Sequence, residues 1–208
     1  MIEYHKIKTL YERDLTTKKL NEEAFRSEEL EFLKDNVWEF TEKIDGTNVR
    51  IHWDGHKVHF AGRTDNAQMP TELMTRLMEL FGGEANEQIF EQKFGETEVI
   101  LFGEGYGAKI QKGGAYLDHQ DFILFDVMIA GNFQPRGSVE DIARAFGLQV
   151  VPIVLTGTLQ EAVEFVKAKP KSTIGTANME GVVGRPKVEL RNRAGERIIV
   201  KIKVCDFE

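Results

Sequence analysis

The sequence has a single cysteine, Cys205, among its 208 residues, so no disulfide framework exists within the chain. Scarce cysteine is typical of proteins in reducing compartments, and we therefore expect a cytoplasmic protein. No stretch approaches 18 consecutive apolar residues, and the N-terminal residues MIEYHKIKTLYERD contain no apolar core of a secretory signal. The sequence thus predicts neither a membrane span nor a membrane partner.

An excess of positive charge is also missing. The chain carries 27 Lys and Arg against 34 Asp and Glu, a formal net charge of −7. This balance argues against a protein that coats nucleic acid generally, because phosphate binding needs clustered cations, but it leaves room for a local basic track. No G-x-x-x-x-G-K-[ST] sequence occurs, and the five histidines show no paired spacing for zinc.

What is present is a strand-rich pattern with helices inserted irregularly. Because a regular βαβ alternation is absent, we predict an α+β fold of mostly antiparallel sheets flanked by helices, as one domain spanning 1–208. Ser138 with Asp141, and Thr158 with Glu161, predict two capping boxes. The predicted helices are 27–34, 70–81, 84–94, 138–147 and 158–168. The predicted strands are 49–53, 57–61, 98–104, 122–129, 148–154, 180–185 and 197–204.

Two Asp-Gly pairs lie in the stretch WEFTEKIDGTNVRIHWDG. Asp54-Gly55 separates two alternating segments and predicts a hairpin turn. The first pair follows Lys43 in EKIDGTN, where a lysine at a strand end could project its ammonium into a cleft. A solvated lysine, with Asp45 and Asn48 as ordinary turn residues, fits the same pattern, so both interpretations stay open.

The last predicted strand, RIIVKIKV, places Lys201 and Lys203 on one face, because strand side chains alternate. Two ammonium groups about 7 Å apart repel each other, and a phosphate-binding site would explain them, although a solvated face would tolerate them. Glu104 and Glu180 lie next to apolar strands and are candidate cleft carboxylates. Carboxylates beside phosphate-binding lysines would suit Mg²⁺.

Taken in order, these motifs resemble those of the covalent nucleotidyltransferases, the family of DNA ligases, RNA ligases and mRNA capping enzymes. The resemblance spans 43–203. It rests on Lys43-Ile44-Asp45-Gly46-Thr47-Asn48, Arg63, Phe102-Gly103-Glu104, Phe125-Asp126, Glu180-Gly181-Val182-Val183 and Lys201-Ile202-Lys203. The K-x-D-G-x-N form, with asparagine at 48, is most similar to the RNA ligase 2-type branch.

The resemblance implies an ATP-grasp-like nucleotidyltransferase domain that uses ATP as AMP donor with Mg²⁺ or Mn²⁺. Lys43 would attack the α-phosphorus, AMP would pass to a 5′-phosphate end, and a 3′-hydroxyl would displace it. The partner would be RNA with nicked or broken ends, or a duplex containing DNA. Family members commonly carry a further C-terminal domain, and we expect none here. A partner protein could supply it, and we expect a monomer.

The resemblance also implies roles for individual residues. The catalytic group would be Lys43, Lys201, Lys203 and Glu180, and the metal would be held by Glu180 and Asp45. The nucleotide would be bound by Glu42, Asp45, Asn48, Arg63, Glu104, Phe125, Lys201 and Lys203. From the residues alone, Phe125 fits core packing and Arg63 an ordinary surface position. Two other functions stay open: a DNA ligase or capping-type guanylyltransferase, and a non-catalytic nucleotide- or RNA-binding module.

The most basic segment is RPKVELRNRAGER, at 185–197. It predicts a hairpin with an exposed Asn-Arg-Ala-Gly tip, either merely solvated or in contact with nucleic acid. Its cations are Arg185, Lys187, Arg191, Arg193 and Arg197. Lys109 and Lys112, in the glycine-rich GYGAKIQKGGAY, form a second candidate contact, and a local track of this kind would reconcile polynucleotide binding with the negative net charge.

Overall fold

A computed structural model describes residues 1–17 and 19–208. The chain forms two compact units, each built from two separate segments. Unit 1 comprises Met1–Tyr4 and Asp45–Val151, and unit 2 comprises His5–Ile44 and Pro152–Glu208. The candidate motif around Lys43 therefore straddles the point where the chain leaves one unit and enters the other.

Strands and helices are numbered here along the chain. The strands are β1 (Lys8–Thr9), β2 (Tyr11–Arg13), β3 (Leu20–Phe25), β4 (Trp38–Glu42), β5 (Thr47–Trp53), β6 (Val58–Ala61), β7 (Val99–Gly107), β8 (Gln120–Ile129), β9 (Asn132–Phe133), β10 (Gln149–Val150), β11 (Ile153–Gly157), β12 (Gly181–Pro186) and β13 (Val200–Lys203). The helices are α1 (Glu28–Phe32), α2 (Thr71–Phe81), α3 (Glu84–Phe94), α4 (Arg136–Ala145) and α5 (Leu159–Lys167). Short 3₁₀ turns cover Gly113–Ala115 and Val204–Phe207.

Unit 2 is built on a five-stranded sheet in the order β1-β13-β12-β4-β11. Its core-facing side carries Trp38 and Phe40 from β4 and Ile202 from β13, all 2% exposed or less. These side chains pack with α5, whose buried residues include Leu159 and Val163. Because strand side chains alternate, the residues between them lie on the other side of the sheet.

Unit 1 is built on a second sheet in the order β10-β8-β7-β5-β6, with β9 paired to β8. Val49 and Ile51 of β5 have no exposed surface and pack in one cluster with Leu77 and Phe81 of α2. The cluster extends to α3 and α4. The helices therefore cover one face of this sheet, and the even-numbered residues of β5 lie on the other.

On that second face Arg50 is completely buried. Its guanidinium donates to the carbonyl oxygens of Gly62 at 2.8 Å and of Met1 and Ile2 at 3.0 Å. It also donates to Oδ1 of Asp65 at 2.8 Å. A buried guanidinium is tolerated when its donors are satisfied, and here these bonds attach the first residues of the chain to unit 1.

The structure confirms the predicted α+β class with mostly antiparallel sheets. Among the described strands, only the pairings β1–β13 and β10–β8 are parallel. The predicted helix at 70–81 is α2, and the capping box of Thr158 and Glu161 is present at α5. No helix in residues 1–17 and 19–208 is both long and apolar enough to cross a bilayer.

Three local predictions are wrong. Helix α4 begins at Arg136 after Pro135, so Ser138 does not cap it, and Asp141 instead pairs with Arg144 at 2.7 Å. The predicted strand at 148–154 is two strands in different sheets, β10 and β11, with Pro152 at the break. The last strand covers only Val200–Lys203 instead of 197–204. The N-terminal strands β1 to β3 were not predicted at all.

Candidate active site

Three adjacent strands of unit 2 bring the predicted catalytic residues together at one edge of the sheet, the edge where β4 and β13 end and β12 begins. Antiparallel β12 lies between β4 and β13, pairing Val182 with Glu42 and Gly181 with Lys203. The backbone N–H of Lys43 donates to the carbonyl oxygen of Gly181 at 2.9 Å. Lys43 at the end of β4, Glu180 just before β12 and Lys203 at the end of β13 therefore meet at this edge.

Glu180 binds two of the lysines at once. Its Oε2 accepts a hydrogen bond from Lys43 Nζ at 2.6 Å, and its Oε1 accepts one from Lys203 Nζ at 2.9 Å. The three side chains are 18–28% exposed, so solvent reaches them only partly. One carboxylate thus separates two ammonium groups that would otherwise repel each other.

Lys201 differs from its neighbours because it forms no ion pair with any residue that the structure describes. It lies two residues before Lys203, on the same face of β13. Burial first, and then the charges of Lys43 and Lys203, lower the pKa of Lys201. The hydrogen bond to Glu180 instead raises the pKa of Lys203. Among the described residues, the site therefore contains one lysine that forms no ion pair beside two that share Glu180.

Glu42 precedes Lys43 directly but lies on the opposite, core-facing side of the sheet, where it is 1% exposed. Its Oε1 accepts a hydrogen bond from Ser172 Oγ at 2.5 Å. Its Oε2 accepts from the backbone N–H of Thr173 at 2.9 Å and from Thr173 Oγ1 at 2.6 Å. The structure therefore brings Glu42 to the loop 172–174 and not to the three lysines.

Unit 1 brings together a second set of predicted residues. Asn48 on β5 lies directly opposite Glu104 on β7, on the sheet face away from the helices. The Oδ1 atom of Asn48 is buried and accepts no hydrogen bond from the described residues. A buried acceptor without a donor is costly, and such atoms are often completed by a ligand or water.

Gly46 explains why the motif needs glycine at its fourth position. A Cβ atom there would lie 2.3 Å from the carbonyl oxygen of Gly105 and 2.8 Å from Cγ of Glu104. The same argument holds for Gly181, where a Cβ atom would lie 2.1 Å from the carbonyl oxygen of Ile202. In both motifs glycine permits a close approach of backbone next to a candidate site residue.

Phe125 and Arg63 are two further predicted residues, and both lie in unit 1. Phe125 is half-buried in a small aromatic cluster, with its ring centroid 5.1 Å from that of Tyr4. Arg63 is exposed just beyond β6. The nucleotide contacts of both side chains stay predictions.

Residues 36–203 match the family model described as RNA ligase. The chain belongs to the RNA ligase family. Comparison with curated proteins gives no match. Among solved structures, the RNA ligase of Naegleria gruberi with PPi has 18% identity and a TM-score of 0.65, with 98% of this chain and 62% of that chain covered. A variant of that ligase with AMP and Mn has 16% identity and a TM-score of 0.67, covering 97% and 62%.

A further variant, with ATP and Mn, has 18% identity and a TM-score of 0.65, covering 97% of this chain and 59% of that chain. At such identities the similarity establishes the fold alone. The chain spans about half to three-fifths of the length of these structures, since the covered share of the other chains runs from 51% to 62%.

The matched range, 36–203, includes every motif position identified in the sequence, from Lys43 to Lys203. Metal binding was predicted for Glu180 and Asp45. Among the described residues, no group of three or more His, Cys, Asp or Glu side chains could hold a metal ion. A site with one or two carboxylates suits Mg²⁺ only when substrate phosphates and water complete it.

Sequence reasoning missed residues that support the motifs from outside them. Ser172 and Thr173 hold Glu42, and Tyr116 Oη accepts a hydrogen bond from the backbone N–H of Asp45 at 3.3 Å. Asp206, whose side chain is 3% exposed, pairs with Arg13 and lies close enough to Lys201 to oppose the lowering of its pKa. None of these residues lies in a recognisable pattern, so no local signal could have identified them.

The predicted basic hairpin is present, with a turn at 192–195. Its charges are partly matched by an acidic neighbour, because Glu189 forms ion pairs with Arg191 at 3.5 Å and with Arg197 at 3.2 Å. Lys187 and Arg193 are exposed, and Arg185 is half-buried. Contact of this hairpin with nucleic acid stays a prediction.

Proposed function

We propose that this protein is an ATP-dependent RNA ligase that forms a covalent lysyl-AMP intermediate on Lys43. The carrying observation is the cluster at the edge of the unit 2 sheet, where Glu180 binds both Lys43 and Lys203, while Lys201 forms no ion pair with a described carboxylate. A lysine that attacks a polyphosphate needs further cations beside it, and Lys201 and Lys203 are two such cations next to Lys43. Membership of the RNA ligase family supports the same assignment.

In the first step, the neutral amine of Lys43 attacks the α-phosphorus of ATP. A bond forms between Nζ and phosphorus, the bond to the bridging oxygen breaks, pyrophosphate leaves, and the nitrogen loses a proton. Lys201 and Lys203 offset the negative charge that develops on the phosphate oxygens. Since Lys201 has no carboxylate partner among the described residues, we infer that the incoming phosphates bind there first.

Glu180 is the residue of unit 2 that would hold Mg²⁺ or Mn²⁺, jointly with the phosphates and with Asp45 as a further candidate. Such an ion would neutralise phosphate charge when bound. Both oxygens of Glu180 accept hydrogen bonds from lysines in the structure, so one lysine must release its oxygen before this carboxylate can bind a cation. Release of Lys43 would also free the nucleophile.

The family resemblance also assigns nucleotide contacts to residues of unit 1. We assign the Asn48 amide and the Glu104 carboxylate to the nucleotide, because the unsatisfied Oδ1 of Asn48 lies beside Glu104 in the β5–β7 pair. Phe125 would stack on adenine and Arg63 would contact ribose or phosphate. Glu42 would act indirectly, by fixing the loop 172–174 and the backbone next to Lys43.

In the second and third steps, AMP passes from Lys43 to a 5′-phosphate end, and a 3′-hydroxyl displaces it to seal the strand. The K-x-D-G-x-N motif supports assignment to the RNA ligase 2-type branch and repair of nicked or broken RNA in the cytoplasm. The structures of similar fold that carry ATP with Mn, AMP with Mn, or PPi come from an RNA ligase. A monomer, aided by a partner protein, remains our expectation.

The decisive experiment measures the intact mass of the protein after incubation with ATP and Mg²⁺ or Mn²⁺. We expect the wild type to gain one AMP and Lys43→Ala to gain none. Lys57→Ala is the matched control, because Lys57 is an exposed lysine of unit 1 outside every motif. An unmodified wild type would refute the enzymatic proposal and favour a non-catalytic binding module.

Labelled ATP and GTP, offered separately, then distinguish a ligase from a capping-type guanylyltransferase. Transfer from GTP alone would exclude the ligase. A nicked duplex with an RNA or a DNA strand at the break tests the substrate, and we expect sealing of the RNA nick. Sealing of the DNA nick alone would assign the protein as a DNA ligase.

A further inference from the structure

The loop between β7 and β8 in unit 1 has an unusual backbone. Lys109 has φ of 64° and Gln111 has φ of 49°, although neither is glycine. Lys112 has φ of −94°, and Ile110 is not among the residues with positive φ. The sign of φ therefore alternates along four consecutive residues. Residues other than glycine rarely adopt positive φ, and two such residues so close together indicate a constraint on this loop.

This alternation has a consequence for the peptide N–H groups. Residues that alternate between right- and left-handed conformations turn successive N–H groups towards one side and form a concavity that binds anions. Lys109, Gln111 and Lys112 donate no backbone hydrogen bond to any residue the structure describes. All three residues are exposed. The loop thus offers three free donors together with the ammonium groups of two lysines.

Core packing and hydrogen bonds fix the conformation of this loop. Ile110 is 4% exposed and belongs to the main core cluster of unit 1. The side chain of Gln120 donates to the carbonyl oxygen of Ala108 at 2.9 Å. The backbone N–H of Gly113 donates to the carbonyl oxygen of Ile110 at 2.7 Å. The conformation is therefore formed before any ligand binds, which lowers the entropic cost of binding.

At its far end the loop reaches the nucleophile motif. Tyr116 follows the 3₁₀ turn, and its Oη accepts a hydrogen bond from the backbone N–H of Asp45 at 3.3 Å. The Tyr116 ring also contacts the Tyr106 ring, at 5.9 Å between centroids. An anion bound on this loop would therefore lie on a segment that is tied to the K-x-D-G motif.

We propose that the loop 107–116 binds a backbone phosphate of the RNA strand, through the N–H groups of Lys109, Gln111 and Lys112 and the two lysine ammoniums. This inference rests on the proposed function, because it assigns part of the substrate site of the same enzyme. The phosphates of ATP already have three lysines in unit 2. A protein of net charge −7 needs a separate local cluster of donors to hold a polyanion.

The test compares Lys109→Gln/Lys112→Gln with Lys57→Gln/Lys93→Gln, which removes the same charge from two other exposed positions of unit 1. Binding of a nicked, 5′-phosphorylated RNA duplex is measured by fluorescence anisotropy across a range of KCl concentrations. We expect the loop variant to bind roughly tenfold more weakly and to lower the salt slope by about 1 to 2, while the control changes little. Gln111→Gly keeps the N–H group and permits positive φ, so it should bind RNA like the wild type.

Lys43–AMP formation, measured by intact mass in the same variants, separates the possible results. The proposal expects it to stay unchanged at limiting ATP. Slower AMP transfer with unchanged RNA affinity would indicate that the loop binds the nucleotide phosphates, and it would overturn the RNA assignment. Equal affinities and salt slopes in the loop variant and its control would overturn phosphate binding altogether. A wild type that binds RNA but never gains AMP would refute the proposed enzyme and leave the loop's RNA contact standing.

Discussion

Glu180 binds the Lys43 ammonium at 2.6 Å, although the two residues are 137 positions apart in sequence. The contact exists because β12 begins beside the end of β4. The Asp45-Gly46 pair that follows Lys43 therefore differs in structural role from Asp54-Gly55. The second pair forms the turn between β5 and β6, whereas the first joins strands of different sheets and is no hairpin turn.

Replacing Glu180 with glutamine should slow AMP transfer to Lys43 by about 100-fold or more. Glutamine has nearly the same shape but no charge, so Lys43 and Lys203 would repel each other and a bound metal would lose its carboxylate. The measurement is the single-turnover rate of adduct formation. Glu189→Gln is the control, because among the described residues Glu189 pairs only with Arg191 and Arg197 of the 185–197 hairpin, and its rate should stay at the wild-type value. Equal rates in the two variants would contradict the role of Glu180.

Lys201→Met should stabilise the ligand-free protein while abolishing AMP transfer. Burial and the charges of Lys43 and Lys203 lower the pKa of Lys201, so its ammonium is less favourable in the folded state than in the unfolded chain. That destabilisation is complete below the folded pKa and fades as pH rises towards the unfolded value of 10.5. The variant's advantage in thermal unfolding should therefore shrink with rising pH.

Lys203→Met should have the opposite effect on the stability of the ligand-free protein. Its hydrogen bond to Glu180 raises the pKa of Lys203, so this ammonium stabilises the fold until pH rises through its folded pKa. We expect the variant to unfold at a lower temperature than the wild type at neutral pH. Destabilisation of both variants to the same extent would show that the two lysines do not differ as the structure indicates.

Asn48→Ala should leave the stability of the ligand-free protein almost unchanged but raise the ATP concentration needed for AMP transfer. The buried Oδ1 has no partner among the described residues, so its removal eliminates an unfavourable group of about 1–3 kcal/mol along with some packing. Asn86→Ala is the matched control. Its amide donates to the carbonyl oxygens of Glu79 and Gly82, so its loss should cost about 1 kcal/mol of stability without affecting ATP use. A strongly destabilised Asn48→Ala with unaltered ATP dependence would contradict this assignment.

The sequence allowed accurate prediction where local pattern decides the structure. Helix α2 has apolar residues at helical spacing between Pro70 and Gly82, and the capping box at Thr158 needs only residues four positions apart or fewer. The meeting of Lys43, Glu180 and Lys203 was predicted from the family's motifs, since no local physical signal connects them.

Prediction failed where tertiary contacts override local preference. The sequence near Glu42 did not reveal that its side chain lies on the core-facing side, where Ser172 and Thr173 bind it, and its nucleotide contact stays a prediction. The strand predicted at 148–154 is divided because Val151 and Pro152 belong to different units. In neither case does the sequence nearby reveal which neighbours the fold will supply.

The position of β4 in the middle of its sheet has a consequence for synthesis. Both strands that pair with β4, β11 and β12, come from the later part of the chain. A ribosome therefore releases Lys43 long before the strands that hold it, and this proposed nucleophile cannot bind Glu180 until residue 180 has been added. Prematurely terminated chains should be inert fragments, not partially active ligases, and these long-range pairings should make the sheet of unit 2 slow to fold.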